Sequence, residues 1–253
     1  MRTILIIAKN TFRQAIRDKI LYGIIIFALL FIGSTVVLSS LSLSEEVFVI
    51  RNFGLAGIYL FSLIITIFLG ALILHKEVEE KVTYLLLAKP VTRTDMVIGK
   101  FLGLLAGIGA TVVLMTTAYL IIVALNGGGI DYPAILAIVF QLMELALLLS
   151  MLILFSIFTT PFAATIYIIF ILYIGHLLTL IQELAVKSGG VTKVLFVIAY
   201  YIFPNLEKFN IRNLVGHQIT VTPNEILLTL GYAVTYTLLA IYLAKTLLNH
   251  KEL

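Results

Sequence analysis

Long hydrophobic runs alternate with short polar connections along the whole chain. Six runs have about the 20 residues that a helix needs to cross the hydrocarbon core of a bilayer, and they fall at about 21–43, 54–74, 101–125, 134–158, 162–183 and 226–247. The runs are continuous rather than alternating, and open strands would leave backbone groups without hydrogen bonds in lipid. The pattern therefore predicts an all-α integral membrane protein with six transmembrane helices.

Composition agrees with a membrane protein. Hydrophobic residues make up 61% of the 253 residues and charged residues 12%, about half the share in soluble proteins. The net charge of +4 comes from basic residues that flank apolar runs, so we expect no nucleic-acid partner. There is no cysteine, and the four histidines are scattered, so we expect no metal site and no directly bound cofactor. The run at 21–43 is too long for a signal-peptide core, so we expect a retained first span.

The distribution of Lys and Arg predicts the orientation of the spans. If the N-terminus is inside, twelve of the 17 basic residues lie in inside segments and five in outside segments. Because cytoplasmic loops are enriched in Lys and Arg, we expect both termini in the cytoplasm and residues 75–100 in a cytoplasmic connection.

Residues 1–20 are amphipathic. Lys9, Arg13 and Arg17 recur every fourth residue on one side of a helix, while Ile4, Ala8, Phe12 and Ala15 gather on the other. Such a helix can lie along the inner membrane face. Two alternatives stay open, a lipid-headgroup anchor or an interface with a cytoplasmic partner.

The connection at 75–100 predicts two helices joined by a corner. Apolar residues at helical spacing continue the second span, and Pro90 disfavours helical backbone at Lys89. Thr92 and Asp95 then have the spacing of a capping box, which starts the helix leading into the third span. The length and rigidity of this segment favour a lever moved by a soluble partner over a simple turn.

The longest segment outside the spans covers residues 184–225. It contains VLFVIAYYIF, residues 194–203, which ends at Pro204. Ten helical residues reach only about halfway across a bilayer of about 30 Å. We therefore expect a re-entrant or interfacial helix on the outer side, with a small packed cap as the alternative.

Three motifs carry a resemblance to a known family. EKVTYLLLAKPVTRTDMVIGKFLG, residues 80–103, resembles the segment after the second span of ABC type-2 exporter permeases. AKNTFRQAIRDKILY, residues 8–22, resembles their interface helix, and FPNLEKFNIR, residues 203–212, resembles the outer segment of the branch associated with multicopper-enzyme maturation. The chain departs from the family pattern at Val82-Thr83, where many members have Gly-Thr.

The resemblance implies that residues 1–253 form one permease domain in the cytoplasmic (inner) membrane. It further implies a homodimer that works with a soluble ABC ATPase subunit, in which ATP and magnesium would bind. By position, the ATPase-coupling residues would lie in the connection, and Lys9, Arg13 and Arg17 would lie on the interface helix. The coupling residues are Lys89, Pro90, Val91, Thr92, Arg93 and Asp95.

The chain itself has no nucleotide-binding motif in this region. A P-loop needs glycine at the position of Thr94 and a hydroxyl residue at the position of Phe101, so Gly99-Lys100 does not match. No signature of a membrane-embedded enzyme is present either. We expect ATP hydrolysis in the partner and no enzymatic activity in this chain.

Polar and small residues within the spans offer further candidates. Gln141 and Glu144 lie one helical turn apart in the fourth span, where a carboxylate costs about 2.5–3.5 kcal/mol unless it faces protein or a cavity. They would line a substrate pathway or pack through hydrogen bonds, and His176 is expected to be a packing residue. Glu144 also motivates an alternative function, a secondary transporter or channel with an intramembrane proton or cation site.

Small residues recur at the start of the third span. Gly99, Gly103 and Gly107 are spaced every fourth residue, which permits close approach of another helix. The contact would either move during transport or be ordinary packing within the subunit.

Overall fold

The computed structural model describes residues 2–42, 46–79, 92–129, 132–212 and 222–250. Within these ranges the chain is helical and has no strand, which confirms the all-α class. The helices are α1 (Arg2–Ile16), α2 (Lys19–Ser39), α3 (Glu46–Glu79), α4 (Arg93–Leu125), α5 (Tyr132–Phe158), α6 (Pro161–Lys187), α7 (Gly190–Ile202), a 3-10 turn (Glu207–Phe209) and α8 (Pro223–His250).

Six of these helices are long and apolar enough to span a membrane. They are α2, α3 as far as Ile73, α4, α5, α6 and α8 as far as Leu248. Each predicted hydrophobic run therefore corresponds to one helix. Several helices begin before the hydrophobic run that indicated them. Helical hydrogen bonding does not require apolar side chains, so a helix can extend into the polar residues that flank a run.

Side-chain caps explain where three helices begin. Asp18 accepts a hydrogen bond from the Ile20 N–H and caps the start of α2. The amphipathic helix predicted over residues 1–20 therefore ends at Ile16, and a new helix begins at Lys19. Thr92 accepts from the Asp95 N–H at 3.1 Å and starts α4 eight residues before the predicted run. Thr160 does the same for α6 through the Ala163 N–H.

The interior of the bundle is formed chiefly by α3, α4 and α5. Tyr119 of α4 and Phe140 of α5 are among the largest side chains with almost no exposed surface. By contrast, α6 and α8 leave many large apolar side chains exposed, among them Phe170, Tyr173 and Leu238. Exposed apolar side chains are expected where helices face lipid, because lipid tails are as apolar as the protein interior.

The chain reverses direction after α6. Gly190 has a φ of +60°, a left-handed conformation that glycine adopts without strain, and α7 then packs back along α6. The short helix expected in this region is therefore present, at Gly190–Ile202.

Residues 203–212, which we call the outer segment after the side of the membrane predicted for them, follow α7 and turn into the bundle. Leu206 and Phe209 are buried, and the Leu206 N–H donates to the Gly175 carbonyl at 3.1 Å. The Asn205 N–H donates to the Tyr232 hydroxyl at 2.7 Å. Irregular backbone between spanning helices is stable only where protein or water satisfies its polar groups, and these two bonds supply part of that requirement.

Candidate functional site

A buried carboxylate lies within the bundle and has polar partners on two other helices. Glu144 of α5 is 1% exposed. Its Oε1 accepts a hydrogen bond from the Tyr59 hydroxyl of α3 at 2.8 Å and lies 3.0 Å from His176 Nε2 of α6. A carboxylate within a spanning helix is costly without such partners, so Glu144 joins three helices through one oxygen atom.

His176 bridges this carboxylate to a second one. Its Nδ1 lies 3.0 Å from Glu207 Oε2, in the outer segment. A protonated imidazole donates to both carboxylates. A neutral one with its proton on Nδ1 donates to Glu207, and its Nε2 accepts from the Tyr59 hydroxyl, which lies 2.9 Å away. In either form His176 links the spanning helices to the outer segment.

Arg212 completes the arrangement from the far end of the outer segment. Its guanidinium carbon lies 3.5 Å from the centroid of the Tyr59 ring, and its Nε donates to Asn210 Oδ1 at 3.1 Å. Asn210 in turn donates to Glu207 Oε1 at 3.1 Å. With His176 protonated, the negative charges of Glu144 and Glu207 balance the positive charges of His176 and Arg212. We call these six residues the polar network: Tyr59, Glu144, His176, Glu207, Asn210 and Arg212.

Gln141 lies one turn from Glu144 and makes a second polar contact between α5 and α3. It is 2% exposed. Its side-chain amide donates to the Ser62 hydroxyl and to the Ile58 carbonyl. Both polar residues predicted in the fourth span are therefore engaged in hydrogen bonds within the protein.

Tyr59 was not indicated by the sequence, and Glu207, Asn210 and Arg212 were indicated only as members of the motif at 203–212. Tyr59 is 85 residues from Glu144, and Glu207 is 31 residues from His176, so no local spacing connects them. One signal was available, namely that acidic and amide side chains come directly after the short apolar run that ends at Phe203.

On the predicted cytoplasmic side, α1 packs closely against three glycines of α4, which are Gly99, Gly103 and Gly107. A Cβ atom on Gly99 would lie 2.7 Å from Ile7 Cβ, one on Gly103 would lie 2.5 Å from the Ala8 carbonyl oxygen, and one on Gly107 would lie 3.2 Å from Ala15 Cβ. Early residues of α1 meet early residues of α4, so the two helices run in the same direction. The apolar face of α1 thus packs on the glycine stripe of α4.

The coupling residues predicted from the sequence are only partly described. Lys89, Pro90 and Val91 lie outside the described residues. Thr92 is the cap of α4, Asp95 is in its first turn, and the Arg93 guanidinium donates to the Leu248 carbonyl of α8. Lys9, Arg13 and Arg17 are exposed at α1 or just after it.

The described residues contain no group of three or more His, Asp or Glu side chains that is placed to hold a metal ion. In the polar network, Glu144 contacts Nε2 of His176 and Glu207 contacts Nδ1 of the same imidazole. They therefore approach the imidazole from different sides instead of converging on one point.

Comparison with known proteins identifies the family. The family model described as ABC-2 family transporter protein matches residues 5–247. A search of the curated proteins finds no match to this chain. The resemblance to permeases associated with multicopper-enzyme maturation stays a prediction. Because the match covers almost the whole chain and the fold has six candidate spans, this multi-pass protein belongs to the ABC-2 family of transporter proteins and is the membrane component of an ABC transporter.

Proposed function

We propose that the chain is the permease subunit of an ATP-driven exporter and that a separate soluble ATPase subunit binds ATP and magnesium and hydrolyses the ATP. Two copies of the permease would form a homodimer in the cytoplasmic membrane, with both termini in the cytoplasm. The family and the six spans support the membrane part of this proposal. The excess of Lys and Arg in the connection at 75–100 supports the orientation.

The packing of α1 on α4 is the observation that carries the proposal. At 33 residues, α4 is about 50 Å long, whereas the hydrocarbon core is about 30 Å thick. Its first turns would therefore project beyond the membrane, next to the connection at 75–100. Because α1 is fixed along those turns by Gly99 and Gly103, a force on the connection would move α1 and α4 as one body.

Coupling would then act through the predicted residues on either side of the α4 N-terminus. Thr92 caps the helix and keeps its first turn intact, while Arg93 links that turn to the C-terminal part of α8. A displacement of Lys89, Pro90 and Val91 by an ATPase would reach two spans through these contacts. Arg13 and Arg17 lie toward the other end of α1, where Ala15 meets Gly107, and would belong to the neighbouring interface helix.

On the opposite side of the bundle, the polar network would act as a latch for the outer segment. Glu144 and Gln141 are bonded within the protein, which favours a role in joining helices over direct contact with cargo. Release of Glu207 from His176 would leave the outer segment held to α6 mainly by the Leu206–Gly175 hydrogen bond, which would loosen the outer side during transport.

The proposal is tested by purifying the tagged permease from its own membrane and measuring ATP hydrolysis by the soluble ATPase that purifies with it. Pro90→Ala is expected to leave folding and complex formation intact and to reduce the stimulation of ATP hydrolysis by the permease. Pro133→Ala, at the outer end of α5, is the matched control and should retain that stimulation. Normal coupling in Pro90→Ala, or no ATPase that binds the permease, would count against the proposal.

A second candidate function is a secondary transporter that uses Glu144 as a proton site. The observation that favours it is the chain of carboxylate, imidazole and carboxylate between α5 and the outer segment, since such chains serve as proton relays in membranes. Proton uptake by liposomes that contain the permease alone, lost in Glu144→Gln, would support this function. Transport that requires the ATPase would exclude it.

A further inference from the structure

A cavity of about 840 Å³ lies where α1, the start of α2 and α3 meet. Arg13 and Arg17 line it from the α1 side, and Lys19 lines it from the first turn of α2. Its volume is within the range of about 300–1,000 Å³ that is typical of sites for small ligands. We call it the basic cavity.

The lining of the basic cavity is suited to an anion. Besides the three cations, it includes the side-chain amides of Asn10 and Gln14. Its one acidic side chain, Asp18, accepts the Ile20 N–H and caps α2. The excess of positive charge, together with the two fork-shaped guanidinium groups, matches the oxygens of a phosphate.

The floor of the cavity is apolar and leads to the surface between two spans. Ile20 and Leu72 line both the basic cavity and a narrow crevice between α2 and α3. The crevice has a volume of only about 10 Å³ and continues past Ile24 and Phe68. Ile20 and Phe68 are about half exposed, so they form an apolar surface over it. Since α2 and α3 are both candidate spans, the crevice extends from the charged site in the direction of the hydrocarbon core.

We propose that the basic cavity binds the headgroup phosphate of an anionic phospholipid, with an acyl chain lying on the exposed apolar side chains of Ile20 and Phe68. The combination of cations with an adjoining apolar surface matches a molecule that has both parts, and basic pockets between membrane helices bind anionic headgroups. A free phosphate ion, or a carboxylate of a partner protein, would use the cations and leave this apolar surface uncovered. This inference concerns a lipid site and does not depend on an ATPase partner.

A bound lipid at this position would connect α1 with α2 and α3. The other face of α1 is fixed on α4 through Gly99 and Gly103. The phospholipid would therefore fill the remaining side of α1 and join it to the first two spans. Its removal would loosen α1 relative to α2 without breaking the contact between α1 and α4.

The test is a titration of the detergent-solubilised permease with phosphatidylglycerol, followed by native mass spectrometry. The double variant Arg13→Gln/Arg17→Gln is expected to weaken binding by about tenfold or more, because it removes two of the three cations that would bind the phosphate. The matched control is Arg2→Gln/Lys9→Gln, which removes the same charge from α1 at positions outside the cavity lining. It should change binding less than twofold. Lys19→Gln removes the cavity cation that lies on α2. It replaces the double variant in the titration if the double variant does not accumulate in the membrane.

The remaining arms separate the sources of the anion. Phosphatidylcholine and inorganic phosphate should each compete at least tenfold more weakly than phosphatidylglycerol, because the first lacks net charge and the second lacks an acyl chain. Equal losses in the cavity and control variants would overturn the proposal, since they indicate a diffuse surface charge. Equal competition by inorganic phosphate would also overturn it. The proposal would also be overturned if Lys19→Gln and the cavity double variant kept full lipid binding and lost only a contact with the ATPase.

Discussion

His176 and Glu207 join the outer segment to the spanning helices, because His176 Nδ1 lies 3.0 Å from Glu207 Oε2. The other ring nitrogen of His176 faces Glu144 at the same distance. One imidazole thus connects α5, α6 and a stretch of irregular chain that enters the bundle between helices. Each of the three predictions below concerns a contact that holds a part of this structure in place.

Glu207→Gln should loosen the outer segment without unfolding the bundle. The change removes the charge that faces His176 but keeps a polar side chain, and Glu207 is partly exposed, so we expect a loss of about 1 kcal/mol or less. The measurement is hydrogen–deuterium exchange in a nanodisc. The Leu206 amide, which is bonded to Gly175, should exchange several-fold faster.

Glu183→Gln is the matched control for this experiment. Glu183 is an exposed carboxylate on the same helix as His176, so its loss changes the net charge equally and should leave exchange at Leu206 unaltered. Unchanged exchange in Glu207→Gln would contradict the role of the His176–Glu207 contact.

Gly175→Ala should displace the outer segment from α6. A Cβ atom at this position would lie 2.6 Å from Leu206 Cγ and 2.9 Å from the Pro204 carbonyl oxygen. Because the second of these is a backbone atom, the outer segment must move, and we expect a destabilisation of about 1–3 kcal/mol. Limited proteolysis at the outer segment and the melting temperature of the permease are the measurements.

Gly231→Ala in α8 tests whether any added methyl group has the same effect. A Cβ atom there meets nothing within 4 Å, so this variant should match the wild type or be slightly more stable, since alanine favours helix. Equal protease sensitivity in the two variants would show that Gly175 is not a close-contact position.

Gly103→Ala should separate α1 from α4. The new Cβ atom would lie 2.5 Å from the Ala8 carbonyl oxygen and 2.7 Å from Thr11 Cβ, an overpacking that costs about 1–3 kcal/mol. Faster hydrogen exchange in α1 is the expected result. If the proposed coupling holds, stimulation of the ATPase should fall in the same variant.

Gly109→Ala is the control on the same helix, because a Cβ atom there has no neighbour within 4 Å. It should leave both α1 exchange and ATPase stimulation unchanged. A Gly103→Ala protein with normal exchange in α1 would refute the packing. Faster exchange with normal ATPase stimulation would leave the packing in place and refute its role in coupling.

Features that depend on neighbouring residues in the chain could be predicted well. The start of α4 at Thr92 follows from a cap that spans three residues, and the amphipathic α1 follows from the repeat of Lys9, Arg13 and Arg17. The burial of Glu144 within protein could also be expected, because a carboxylate facing lipid is too costly. The partners of Glu144 could not, since Tyr59 and His176 are themselves 117 residues apart.

The packing face of α1 shows the same limit. The helical wheel of α1 predicts one apolar face, and an apolar face can pack equally well against lipid or against another helix. The contact with Gly99 and Gly103 depends on how closely two backbones approach. That distance is a property of the packed pair and not of either helix alone.

The sequence by itself determined the six spans, the expected orientation and the helix caps, because hydrophobic length, charge distribution and capping are local properties. Only the tertiary structure decided that the outer segment enters the bundle, that His176 lies between Glu144 and Glu207, and that α1 rests on the glycine stripe of α4. These relationships require helices far apart in the chain to approach within a few ångströms. The physical reason is that such approaches depend on the complementary shapes and polar groups of both partners, which no single segment contains.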